Sequence, residues 1–441
     1  MPDPDSLYAA KRVTAEDAAA SIANDSNLIL GMAVAMPPAF MAALAERALQ
    51  RDGLTDLDIY YMHASDAAAE TILRPELMGV LHPHPLFMSR HDRELDAAGR
   101  AQGKTWVHFV PCMFHQAGRL LTEGISPDCF VTTVSPMDRS GHFSLGTNAD
   151  YGATLARSAS RMIVEVNPNM PRTFGESLLH VRNVDMIVEH EAPLMEFGPA
   201  KPNTADVEIA ARVAAEIPDR ATIQMGVGGV PEAVMSQLRD HSDLGLHSEL
   251  LSPPMTDLVR AGVITGAAKT LMPHKHVFTL SLGNREMYDF IDDNPSFVGY
   301  PAAWVNNPAV IRKNRDLVSV NGAIQIDLTG QINSESVGGH QFSGTGGQLD
   351  FVRGAYNAPG GKSLIALRST AKDGTISRVV PQLNNAAVTD PRMDTHIVVT
   401  EFGSVDLKGM SLDARAKALI GLAHPDFRDE LAAAERRMGI A

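Results

Sequence analysis

One acidic side chain and two glycine clusters carry the chemistry available to this sequence. Gly226-Val227-Gly228-Gly229-Val230-Pro231 follows the apolar run Ala221–Met225, and Glu249 stands 18 positions after that proline, closing a second apolar run that begins at Leu244. Strand, tight glycine turn and a helix opened by Pro231 is the expected local order. Free amides gathered at such a turn suit a phosphate or a developing oxyanion. A carboxylate delivered beside them can attack a thioester once it is desolvated. A second cluster, Gly344-Thr345-Gly346-Gly347, is bracketed by Phe342, Leu349 and Phe351 and offers more unhindered amides.

Other chemistries fit less well. A dinucleotide fingerprint needs a small third residue where Pro231 stands, and no Lys-Ser or Lys-Thr follows to make a phosphate loop. His142-Phe-Ser144-Leu-Gly146 lacks the first glycine of a nucleophile elbow. His82-Pro-His84 and His274-Lys-His276 lack the i, i+4 spacing of paired helical ligands, so no metal is expected. Each remaining signal also has a bland reading: the glycine turn as structure alone, and Glu249 as a solvated carboxylate at a strand end.

Strands alternate with helices over most of the chain, so open α/β sheets are expected, with ligands outside the carboxyl ends of parallel strands. Thr14 caps a helix that leads to the strand Asn27–Leu30, a turn at Gly31 and a helix opening at Pro37-Pro38. The order repeats later, with Thr204 as the cap, Gly226 as the turn and Pro231 at the helix. The caps are 190 positions apart, the glycines 195, and the similar turns at Asp138 and Asp327 are 189 apart. Two copies of one α/β unit follow from these offsets. The expected division places an N-terminal domain over 1–200 and a C-terminal domain carrying Glu249 over 201–441, with the linker near Pro199–Asn203.

Totals narrow the partners. The 441 residues carry a net charge of −14, which leaves no basic excess for nucleic acid. Two cysteines cannot make a disulfide framework and suit a reducing compartment. The N-terminus is acidic with no apolar core behind it, and no run nears a membrane span. The expectation is a cytoplasmic protein without a membrane partner, and a homodimer, because two-fold pairs dominate soluble oligomers.

Taken together the motifs resemble the acetyl-CoA hydrolase/transferase family, and within it the 4-hydroxybutyrate CoA-transferase-like enzymes. The resemblance runs through Gly226–Val234, Leu244-Gly-Leu-His-Ser-Glu249, Gly262–Thr270, Val305-Asn-Asn-Pro308, Ser319-Val-Asn321-Gly-Ala323, Asp327–Glu335, Ser343–Phe351, Ala371–Gly374 and Thr400-Glu-Phe-Gly403. Ser135–Asp138 and Val166–Pro171 extend it into the first half. It implies two similar open-sheet α/β domains and an acyl-CoA:carboxylate CoA-transferase. Glu249 is the implied nucleophile, forming a glutamyl-acyl anhydride and then a glutamyl-CoA thioester. Gly226, Val227, Gly228, Gly229, Val230, Asn321, Ala323, Gly346 and Gly347 are the residues implied to hold coenzyme A and the oxyanion. Coenzyme A enters as the acyl-CoA substrate, with no metal. Candidate acids are 4-hydroxybutyrate, butyrate and acetate, or a dicarboxylate such as succinate or itaconate, for which Arg90, Arg172 and Lys372 are candidate second anchors. Leu250-Leu-Ser-Pro-Pro254 departs from the aromatic and acidic segment common after the glutamate, which leaves the acyl group open. An acyl-CoA hydrolase and a non-catalytic CoA-binding regulator are the alternatives.

Overall fold

Side-chain caps start some of the helices that accompany the sheets, and proline or glycine starts others. Thr14 accepts from the Asp17 amide at 3.0 Å and opens α1 (Ala15–Ala20). Pro37 precedes α2 (Pro38–Gln50), whose Phe40, Met41 and Leu44 face inward at a helical spacing. The computed structural model describes residues 3–198, 201–226 and 228–439.

Two compact units result. The first comprises Met1–Phe197 with Val277–Trp304, the second Gly198–His276 with Val305–Ala441. The chain thus passes between units three times, not once at 200/201 as the sequence suggested. The reason is backbone pairing: Phe297–Gly299 forms a strand parallel to Phe174–Gly175, and the Ala149 and Asp150 amides donate to Thr279 O.

Unit 1 holds a parallel sheet of β1 (Ser26–Leu30), β2 (Leu57–Tyr61), β3 (Leu81–Pro85), β4 (Cys129–Val134), β5 (Met162–Val166) and β6 (Met186–Glu189), in the order β3-β2-β1-β4-β5-β6. Unit 2 repeats the plan with β7 (Thr222–Met225), β8 (Gly245–Leu246), β9 (Leu317–Gly322), β10 (Lys362–Ala366), β11 (Ile397–Thr400) and β12 (Gly403–Asp406), ordered β8-β7-β9-β10-β11-β12. Only β12 runs antiparallel, as a hairpin back on β11. Central strands such as β4 are buried at every position, as expected when both faces of a parallel sheet are covered.

Register makes the duplication concrete. Gly31 donates to Val131 O and Gly226 donates to Val320 O, each at 2.9 Å and each one residue past its strand. Asp138 Oδ1 accepts the Ser140 and His142 amides, and Asp327 Oδ1 accepts those of Thr329 and Gln331. The cap of α3 (Thr204–Ala215) is Asn203, in a reciprocal capping box with Asp206, so Thr204 is the first helical residue rather than the cap. The cap offset becomes 189 (203 − 14), the same as Asp138 to Asp327.

Candidate active site

The segment that carries Glu249 is anchored from below before its carboxylate is placed. Strand β8 is two residues long and ends at Leu246, so Glu249 stands on the turn three residues beyond it. Lys269, only 4% exposed, donates from Nζ to Leu246 O at 2.7 Å and to Lys275 O at 2.6 Å. Gly245 is required here, because a Cβ would occupy the path of the Lys269 stem. Burial pulls the Lys269 ammonium down to about 7.

Next along the turn, His247 is fully buried and shares a 2.9 Å hydrogen bond through Nε2 with Val305 O. A carbonyl only accepts, so Nε2 carries the proton. Burial, reinforced by Lys269, lowers the imidazole to about 3 and keeps it neutral.

Glu249 is half-buried, with its carboxyl group turned inward. Asn306 Nδ2 donates to Oε2 at 2.5 Å. The Gly347 backbone lies against the same carboxylate and favours its ionised form. Gly347 ends the second glycine cluster and caps α5 (Gln348–Tyr356); a Cβ at this position would overlap both Oε2 and Asn306 Nδ2. Burial raises Glu249 to about 7, with the Asn306 bond opposing, the nearby Asp350 charge adding to the rise, and the Gly347 amide opposing. Near neutral pH the group is therefore split between its ionised and protonated forms.

The first glycine cluster lies at the carboxyl end of β7. Gly226 comes within ordinary contact of Val320 O and Asn321, and Asn321 exchanges amide hydrogen bonds of 3.2 Å with Gln224. Gly228 has φ of +117°, a conformation that requires glycine, and caps α4 (Gly229–Gln237). The helix begins at Gly229, two residues earlier than expected, so Pro231 is its third residue, where a missing N–H is still harmless. Gly229 adjoins the Asp206 carboxylate, which Arg368 holds with bonds of 2.7 and 2.6 Å. The Arg368 guanidinium and the Asn203 amide outweigh desolvation and keep Asp206 below the usual carboxylate range.

Comparison with known proteins identifies what this arrangement belongs to. Residues 3–197 match the acetyl-CoA hydrolase/transferase N-terminal domain, and residues 283–435 match the C-terminal domain of the same family. The 4-hydroxybutyrate coenzyme A transferase of Clostridium kluyveri is 41% identical over 96% of this chain and 97% of its own. The succinyl-CoA:cyclohexane-1-carboxylate CoA transferase of Geobacter metallireducens is 37% identical over 98% and 96%. The crystal structure of RipA from Yersinia pestis superposes with a TM-score of 0.96 at 47% identity, covering all of both chains. The chain belongs to the acetyl-CoA hydrolase/transferase family. It is a CoA-transferase.

In this CoA-transferase the structure brings Glu249 and Gly347 together, with Gly346 next to them at φ of +55°. Gly226, Gly228, Gly229 and Val230 form a separate turn-and-helix start beside Asn321, and Val227 lies outside the described residues. Ala323 follows β9, and its carbonyl accepts from Arg378 at 3.2 Å. Of the three candidate second anchors, Arg172 pairs with Asp138 at 2.6 Å and Arg90 with Glu94 on an exposed helix face, both within unit 1, and Lys372 sits on the turn of a hairpin in unit 2. Ser144 is buried and donates to Thr173 O at 3.0 Å, a structural role. His82 and His84 pair with Asp56 and Asp58, and among the described residues no group of three or more His, Cys, Asp or Glu could hold a metal ion.

Asn306 was visible only as part of Val305-Asn-Asn-Pro308, with no role attached. The signal that could have singled it out is polarity beside Val305 in a segment packed well enough to be fully buried. His247 and Lys269 were equally embedded in motifs whose chemistry is apparent only once the turn is folded.

Proposed function

We propose that the protein exchanges coenzyme A between short-chain carboxylates, with Glu249 as the covalent nucleophile. One observation carries the reading: a carboxylate desolvated enough to stand at about 7, yet gripped on Oε2 by Asn306 and packed against the Gly347 backbone. With Oε2 held, Oε1 attacks the acyl-CoA carbonyl, and the C–S bond breaks to release CoA thiolate and leave a glutamyl-acyl anhydride. The thiolate then attacks the glutamyl carbonyl. Negative charge collects on the oxygen that already faces Asn306 and the Gly347 backbone, where fixed dipoles stabilise it without reorganisation. Expulsion of the first carboxylate leaves a glutamyl-CoA thioester, and an incoming carboxylate runs the two steps backwards. One thioester replaces another, so the exchange is close to thermoneutral. Because the Gly226 amide already donates to Val320 O, the start of α4 at Gly229 and Val230, with Asn321 and Ala323, supplies the groups for the coenzyme.

Similarity to enzymes named for 4-hydroxybutyrate and for succinyl-CoA supports monocarboxylates such as 4-hydroxybutyrate, butyrate and acetate, or a dicarboxylate such as succinate or itaconate, as exchange partners. The same reading places the enzyme in the cytoplasm as a homodimer. Intact-mass analysis after incubation with an acyl-CoA should find a CoA adduct on the peptide bearing Glu249, absent from Glu249→Ala. An unmodified peptide during active turnover would remove the covalent route. Rapid CoA release without any added carboxylate would instead favour an acyl-CoA hydrolase.

A further inference from the structure

We propose that His247 is a positioning residue for transfer: by bonding Val305 O it locks the Asn306 amide onto Glu249. This rests on the reading of Glu249 as nucleophile. The covalent path is short. His247 stands two residues before Glu249, and the residue whose carbonyl it binds immediately precedes Asn306. One 2.9 Å bond therefore ties the turn carrying the carboxylate to the segment carrying its donor. The ring also meets Phe351 edge-on, with centroids 6.3 Å apart. Phe351 lies one turn into α5, whose cap, Gly347, packs against the Glu249 carboxylate, and the Phe351 amide donates to Gly347 O at 3.0 Å. A single imidazole thus touches all three segments that meet at the carboxylate.

Chemistry favours histidine at this position. The donor must stay fixed across the working pH range, and a buried imidazole beside Lys269 stays neutral with its proton on Nε2. The Val305 carbonyl is the acceptor, so a side chain that cannot donate leaves a buried backbone oxygen without its partner and frees the Asn306 segment to drift. Misplacement of a reacting group by about 1 Å can cost on the order of 10²-fold in rate.

The experiment compares His247→Leu, which fills the space without a donor, with His247→Gln, whose amide can reach the same carbonyl. His247→Leu should lower kcat by about 10²-fold with KM for acyl-CoA within about twofold, and His247→Gln should recover at least about tenfold of that loss. In a double-mutant cycle, adding His247→Leu to Asn306→Ala should cost less than about threefold further, because the lock then holds nothing. Single-turnover formation of the Glu249 adduct should slow in parallel with kcat. Wild-type kcat in His247→Leu, or fully multiplicative losses in the double mutant, would overturn the inference, as would a folded His247→Gln no better than an unfolding-prone His247→Leu. Absence of the adduct from the wild-type enzyme would sink the Glu249 reading instead, so the two failures are distinct.

Discussion

Glu165 in the first unit and Glu249 in the second are both carboxylates that burial pushes up to about 7, yet they differ in what holds them. Glu165 lies on β5 at 1% exposure, and its oxygens accept the Phe40 and Ala39 amides at 2.9 and 3.2 Å, the free N–H groups at the start of α2. It fills that helix end from inside. The ladders relate the two copies residue by residue. Anchored on Gly31 and Gly226, Thr133 matches Gly322, and their β-sheet partners are Glu165 and Ala366. Unit 2 thus has a methyl group where unit 1 has its buried acid. Carried along the other edge, Ile59 matches Leu246, and three residues on Met62 matches Glu249. The carboxylate sits at different places in one framework: under a helix in one copy, on a turn at the strand ends in the other. A raised pKa does not distinguish a nucleophile from an internal ligand. What differs is the donor: Glu165 is held by the amides that open α2, whereas Glu249 is held by the Asn306 side chain on a turn.

The sharpest way to break this contrast is to remove the grip on Oε2. Gly347→Ala places a methyl group where Oε2 and Asn306 Nδ2 now meet, so the carboxylate must move and its bond to Asn306 is disrupted. The expected loss in kcat is about 10²- to 10³-fold, the scale set by deleting one oxyanion donor, with CoA binding retained. Wild-type kcat would show that Gly347 is only a turn residue. Asn306→Ala should cost less, about 10²-fold, and carries a pH signature. Asn306 favours the ionised carboxylate, so without it Glu249 rises further above about 7. The active form is the ionised one, and the acid limb of kcat/KM should shift to higher pH. A limb that stays in place or moves to lower pH would mean that Asn306 does not act on Glu249.

The sequence reveals most of this frame and little of the site's interior. Strand–glycine–helix grammar, the duplication and Glu249 follow from local pattern and family resemblance. The grip on Glu249 does not, because Asn306 and Gly347 are 57 and 98 positions away from it and meet it only through tertiary packing. Exchange of Val277–Trp304 into unit 1 was invisible for the same reason: its strand pairs with Phe174–Gly175, far upstream. The cap of α3 shows a smaller failure. Asn203 and Thr204 are adjacent and both can cap, and the choice falls to whichever has an acid three residues on; Asp206 selects Asn203.

Glu165→Gln tests the other half of the comparison and should have the smallest effect on catalysis. The substitution keeps shape and one acceptor oxygen, so transferase activity should change by less than about twofold, within the range of a substitution outside the reacting groups. Stability should respond instead. The ordinary value for this group is 4.5 and the folded value about 7, so between them the native state holds more protons than the unfolded chain. Stability from Glu165 is therefore full below about 4.5, declines as pH rises through that window and is flat above it. Over 2.5 pH units, at about 1.4 kcal/mol each, the difference comes to roughly 3–4 kcal/mol. Urea unfolding should find Glu165→Gln close to wild type near pH 4.5 and more stable than wild type at pH 8. Parallel pH profiles for the two proteins would mean that the amides of α2 fully compensate the ionised carboxylate, and unit 1 would then contain a working anion site already filled by its own side chain.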